Sequence, residues 1–212
     1  ISDTYKKSVN LGLNSKKATE SVLKNLKMAD KISFKNGVDS IKEMTMWAME
    51  TRFNMEQLPN IVNKITGEGI LSAVDVSAKM NILGGNAAMY ANPFTLMMGG
   101  NDPTYITEYI TNAIKGVGVY NKKTGTTDLN WQERQYLKTL AEATGSNSED
   151  LIMQLRTQNQ KADVVRELKR NGKRFTEDEM SQINSRAKMV DGEWKVSVFD
   201  KKTSSFKDKN LK

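Results

Sequence analysis

Helix starts and stops recur along this chain at intervals too short for long rods, and they restrict it to a fold of short helices packed on one another. Asn92-Pro93 and Asp102-Pro103 each place a side-chain cap before a proline at the first helical position, where the missing N–H would lack a partner in any case. Asn130 to Glu133, Ser146 to Glu149 and Thr176 to Glu179 have capping-box spacing, in which two residues satisfy each other's free backbone donors. Thr66-Gly67, Gly84-Gly85, Gly116, Gly145 and Asn171-Gly172 supply the stops.

These signals predict a mainly α protein, a multi-helix globular bundle of about eight short capped helices with a minor β-hairpin and a C-terminal strand. The helices run from Asn14 or Ser15 to about Asp30, Asp39 to Phe53, Met55 to Ile65 (started or kinked by Pro59), Ile70 to Leu83, and from Pro93 and Pro103. Three more follow, 130–145, 146–170 and 176–188. Leu71, Val74, Ala78 and Ile82 share one face of the fourth and are expected to point inward. So are Leu137, Leu140 and Ala141, and a stripe of Leu151, Ile152, Leu155, Ala162, Val165 and Leu168. The hairpin falls near 117–128. Trp194, Val196 and Val198 alternate with Lys195, Ser197 and Phe199, the period of a strand whose partner is a segment near Lys188 to Val190, residues beyond Lys212, or another chain. The last dozen residues, KKTSSFKDKNLK, read as disordered or truncated. Composition and capping divide the chain into an N-terminal helical region, 1–129, a C-terminal helical region, 130–190, and a strand with a basic tail, 191–212.

Composition then narrows the chemistry. The 212 residues include no His and no Cys, which removes Ser-His and Cys-His nucleophile pairs, imidazole ligands, disulfides and thiolate zinc sites. Carboxylate, lysine and tyrosine chemistry remains. With 38% hydrophobic and 27% charged residues, a chain of this length closes a core without covalent staples. No stretch approaches the roughly 18–20 apolar residues of a membrane span. The opening ISDTYKKSVN lacks the apolar core of a secretory signal and starts at Ile1, as expected of a piece of a longer chain. The net charge of +7 sits at the ends: +4 over 1–31, −2 over 32–160 and +5 over 161–212.

Few motifs carry chemistry. The glycines at 84–85, 99–100 and 116–118 lack the Lys-Ser/Thr of a P-loop and a βαβ context, so no nucleotide site is expected. The acidic run Glu177-Asp178-Glu179 suits a helix N-terminus rather than a metal, and no metal or other cofactor is expected. Glu50 and Glu56 lie among Met and aromatic residues with Arg52 in reach, which makes a Glu-dependent peptidoglycan-cleaving domain one alternative. A basic nucleic-acid-binding domain is another, resting on Lys169-Arg170, Lys173-Arg174, the basic tail and Trp131 or Trp194 as stacking faces for non-specific DNA contact. The segment 39–53 is apolar around most of its circumference through Ile41, Met44, Met46, Trp47, Ala48 and Met49, so it is buried or clasped by partners. Methionines pack adaptably, and Met44, Met46, Trp47 and Met49 are the expected assembly surface.

The block SAKMNILGGNAAMYANPFTLMMGGNDPTYITEYI, continued through two capped helices to QNQKAD, resembles a domain of the large tail tape-measure and related internal virion proteins of tailed bacteriophages. The matching positions are Leu83, Gly84, Gly85, Pro93, Phe94, Asn101, Asp102, Pro103 and Gly125, then Leu137, Ala141 and Leu151, within about residues 75–165. The resemblance implies a structural virion component, packaged in the tail or capsid and ejected into the host with the genome. Its implied partners are tail tube or portal proteins or further copies of itself. It transfers no catalytic residue, and the many glycine breaks depart from a long helix that measures by its length.

Overall fold

A computed structural model describes residues 2–28, 32, 34–170, 175–190, 192–200 and 205–211. The helix end near Asp30, the Asn171-Gly172 stop, Lys173, Arg174 and Asp191 lie outside the described residues. The architecture is mainly α with two small antiparallel sheets.

Helix α1 (Ser2–Asn10) packs on α2 (Ser15–Asn25), whose start is capped by Asn14 Oδ1 accepting the Lys17 N–H at 3.0 Å. No cap or apolar stripe announces α1 in the sequence. It docks through small residues, with Thr4 and Ser8 buried one turn apart. Next come α3 (Val38–Thr51), a 3₁₀ turn over Met55–Gln57, and α4 (Leu58–Thr66), with Pro59 in the first turn, where it begins the helix rather than kinking it. Then follow α5 (Ile70–Leu83), the single turn α6 (Gly85–Ala88), α7 (Pro93–Gly99) and α8 (Pro103–Ala113). The hairpin is β1 (Val119–Asn121) paired with β2 (Thr126–Asp128), turning through Gly125 at φ 66.

Helix α9 (Trp131–Thr144) starts on the expected capping box. Asn130 Oδ1 accepts from Glu133 N at 2.9 Å, the Asn130 N–H donates to Glu133 Oε2 at 2.8 Å, and Gly145 ends the helix at φ 73. At α10 (Ser148–Arg170) the cap differs from expectation. Asn147 Oδ1, not Ser146, accepts from Glu149 N at 2.8 Å, because the Ser146 hydroxyl is engaged with Thr144 Oγ1 at 2.7 Å. The box at Thr176 and Glu179 opens α11 (Glu177–Arg186) as expected.

One large apolar cluster joins α3, α4, α5, α7, α8, α9 and the start of α10, with Ile41, Leu58, Ile61, Ile65, Met80, Leu96, Tyr109, Leu137 and Leu155 among its members. It crosses the boundary at residue 130. Gln57 reinforces the crossing: its amide donates to Asp150 Oδ2, and its oxygen accepts the Asn147 N–H at 2.8 Å. A second, smaller cluster takes Val164 and Leu168 from the far end of α10, together with Ala187, Trp194, Val196 and Leu211. Helix α10, 23 residues and about 34 Å long, therefore belongs to both.

The C-terminal sheet corrects two expectations. It has three strands, β3 (Ala187–Val190), β4 (Glu193–Asp200) and β5 (Ser205–Asn210), in that order and antiparallel. The strand at 194–199 is thus not alone, and residues 205–210 of the tail are ordered. Of the three partners considered for that strand, the segment near Lys188 to Val190 is one that pairs, with Met189 opposite Trp194. The missed strand, SFKDKN, has no apolar alternation. It is held by backbone pairing to β4 and puts the exposed Lys207 and Lys209 opposite Val198 and Val196, so that charged side chains stand along the edge strand and discourage further strand addition.

Candidate assembly surface

Helix α5 is apolar on two sides, and the structure reverses which side faces in. Ala73, Val76, Ser77 and Met80 are buried, whereas the expected inward stripe of Leu71, Val74, Ala78 and Ile82 faces solvent, with Leu71 68% and Ile82 84% exposed. Two anchors orient the helix. The Tyr109 hydroxyl donates to Met80 Sδ at 2.8 Å, and the Ser77 hydroxyl donates to the Ala91 carbonyl. Tyr109 stacks on Tyr105 at 6.2 Å, and burial pushes the Tyr105 phenol up to about 12 and raises that of Tyr109 as well.

Helix α7 repeats the arrangement on a smaller scale. Asn92 Oδ1 caps it by accepting the Thr95 N–H at 3.1 Å, Pro93 starts it, and Leu96 is fully buried against the core. Its outward positions, Phe94 and Met98, lie one turn apart and stand 66% and 79% exposed. Glycines let it seat closely: a Cβ at Gly99 would strike the Tyr105 ring, and one at Gly100 would strike Thr66 Cγ2. Because α5 packs on α7, two exposed apolar rows occupy neighbouring helices, with exposed Met89 in the connection between them. Ile82 also walls an open groove of about 530 Å³ shared with Leu83, Val117, Gln135 and Tyr136.

The punctuation residues from Leu83 to Pro103 serve the geometry of this surface. Gly84 takes φ 69 to end α5, and its N–H donates to the Met80 carbonyl at 3.1 Å. Gly85 follows at φ 55, and Leu83 is half-buried against the core. Asp102 Oδ1 accepts from Thr104 N at 2.9 Å and Tyr105 N at 3.4 Å, and Pro103 behind it is buried. The Met and Trp positions of α3 lie elsewhere. Met44 and Met46 are buried, while Trp47 and Met49 are half-buried, with Trp47 against Phe53 at 5.0 Å. The broad apolar girth of α3 is satisfied within the chain, by α2, α8 and α10, so Met44 and Met46 form inner wall instead of a surface.

The other candidate residues are dispersed. Glu50 pairs with Lys161 at 2.6 Å and Glu56 with Lys24 at 3.0 Å, not with Arg52, and the two glutamates do not face each other across a shared cleft. Trp194 is buried, stacked on Tyr120 and donating from Nε1 to Asp163 Oδ2 at 2.8 Å, so it offers no stacking face. Trp131 is 72% exposed. Among the described residues no three acidic side chains converge as metal ligands, and no helix is long and apolar enough to cross a membrane. Comparison with protein families, with curated proteins and with solved structures finds no match.

Proposed function

We propose that this chain is a structural component of a tailed-phage virion, tape-measure-like or an ejected internal protein, that works by protein–protein assembly and not by catalysis. The observation that carries the assembly reading is the pair of exposed apolar rows, Leu71, Val74 and Ile82 on α5 and Phe94 and Met98 on α7, left uncovered beside a complete core. Scattered exposed apolar residues are ordinary, but rows on adjoining helices mark a surface that a partner covers. Methionine at Met98 in one row and at exposed Met89 in the connection between the helices suits a surface that repacks against more than one neighbour. The resemblance of residues 75–165 to virion proteins supplies the setting: a place inside the tail or capsid, release into the host cell, and partners among tail tube, portal or identical chains.

The test is light scattering coupled to size exclusion, on the chain alone and after co-expression with the products of genes flanking its own. Expected is a complex, with itself or with a tail or portal protein, that ignores added DNA and persists in high salt. The double variant Ile82→Lys/Met98→Lys dissolves that complex while keeping the circular dichroism of the parent. A chain that stays alone with every flanking product, or that forms only a salt-sensitive DNA complex, defeats the proposal and promotes the nucleic-acid reading.

A further inference from the structure

The outward row of α5 has the form of a helix–helix seam. Leu71, Val74, Ala78 and Ile82 recur at intervals of three and four, all exposed, with no charged residue among them. Ala78 lies next to the midpoint of the row, where a small side chain lets a second helix approach closely. The two flanks of the row differ. On one, Asp75 pairs with Lys79 at 2.7 Å and faces Lys64 of α4 at 3.6 Å. On the other, Ser77 and Asn81 hold the Ala91 carbonyl and so seat the segment that leads into α7 with its exposed Phe94 and Met98.

From this layout we infer that the occupant of the surface is a second copy of this chain, related by a two-fold axis perpendicular to α5, so that the two α5 helices cross antiparallel. The inference rests on the assembly reading and names the partner. Such an axis lays each flank on the same flank of the other copy and reverses its direction. Asp75 and Lys79 are equidistant from Ser77, so reversal about that level sets Asp75 of one copy beside Lys79 of the other, twice. The midpoint of the row, between Val76 and Ser77, falls at the same level and brings Leu71 of one copy to Ile82 of the other. The same axis turns each α7 row toward its own counterpart. A parallel pair, related by an axis along α5, would instead lay the charged flank of each copy on the apolar α7 flank of the other and strip those charges of water.

Area and charge fit this partner. Leu71, Val74, Ile82, Met89, Phe94 and Met98 at their exposures present roughly 700–800 Å², close to the about 800 Å² per partner of a standard interface. Residues 32–160 carry −2 of a net charge of +7, so the two copies meet on the part of the chain that is not positive. The Asp75–Lys79 pairs fix direction more than affinity, as charges at a rim do.

The experiment is sedimentation equilibrium of the whole chain alone, from about 1 to 100 µM. A reversible dimer is expected in that range. Ala78→Glu, a change at an exposed helix position, keeps the circular dichroism of the parent and weakens the dimer at least about tenfold by setting two like charges beside the axis. Direction is read separately. The chain has no cysteine, so Glu68→Cys in the exposed turn before α5 gives each copy one spin-label site. Labels about 30 Å apart are expected for the antiparallel pair, against less than about 20 Å for a parallel one. The inference is overturned by a monomer at about 100 µM, by a dimer that Ala78→Glu leaves intact, or by the shorter label distance. A monomer that still binds the product of a flanking gene, and loses it on Ile82→Lys/Met98→Lys, overturns the second copy alone and leaves the assembly reading standing. Failure of both complexes removes both.

Discussion

The helical body and the C-terminal cluster are held by different forces, although α10 runs through both. The body gathers 27 buried apolar residues and the C-terminal cluster only 6, among the described residues. The smaller cluster relies on directed contacts. Trp194 Nε1 donates to Asp163, a carboxylate almost fully withdrawn from solvent, which also faces Lys122 at 3.4 Å and Arg166 at 3.8 Å. Tyr120 from the hairpin stacks on the same indole at 6.2 Å, and the hairpin is further tied to α10 by Lys122, facing Asp163 and Glu167, and by Thr127, whose Oγ1 accepts from Asn159 Nδ2 at 3.3 Å. A large core tolerates the loss of any single polar contact, whereas a small one concentrates its stability in a few.

That contrast can be broken first in the body. Ile61→Ala removes a fully buried side chain from α4 and is expected to cost about 2–5 kcal/mol, shifting the urea midpoint of the whole helical signal. An unfolding curve that moves only the C-terminal strands would sink the idea of one cooperative body. Asp163→Ala strands the Trp194 N–H and is expected to cost roughly 1–3 kcal/mol. Its signature is local: hydrogen exchange quickens in β4 and β5, while protection in α4 and α8 stays at the parent level. Equal loss of protection in both regions would show that the two clusters unfold together.

The smallest effect sharpens the comparison from the opposite direction. Gln154 is fully buried on α10, and neither its amide nitrogen nor its oxygen has a hydrogen-bond partner, a polar flaw in a region otherwise held by apolar packing. Gln154→Leu is expected to stabilise the chain by about 1 kcal/mol, read as a higher Tm in a thermal melt. A lower Tm would mean that the amide is engaged in solution and that polar contacts matter in both regions.

Much of the fold was legible because its signals are local. A cap joins residues three apart, so Asn14, Asn92, Asp102, Asn130 and Thr176 act in the structure as their spacing suggests. Asn147 took the place of Ser146 through a neighbour, Thr144, that competed for the serine hydroxyl. Of the candidate site, the block from Leu83 to Pro103 was legible as punctuation, but its role in presenting Phe94 and Met98 was not. Arg52 was visible only as a charge near Glu50. Its left-handed backbone is the local C-cap of α3, with its N–H donating to the Ala48 carbonyl, whereas its nearness to α11, some 130 residues later in the chain, is tertiary.

The sequence by itself determined where most of the helices begin and end, α1 excepted, and that the protein is mainly α, because capping, proline and glycine preferences act within a turn of backbone. Tertiary structure decided which faces are inside. On α5 two apolar stripes compete, and the one bearing Ala73, Val76 and Met80 is the one packed inward, where α4, α7 and α9 lie against the helix and Tyr109 of α8 reaches Met80. On α10 the inward row beyond Thr157 passes through Asp163, Val164 and Leu168 and leaves Ala162 exposed, since a buried carboxylate there has Trp194 to bind. Strand β5 exists only as a partner of β4. Periodicity reveals that a face is apolar, but burial depends on which surface across the core fits it, and that information lies in no single segment.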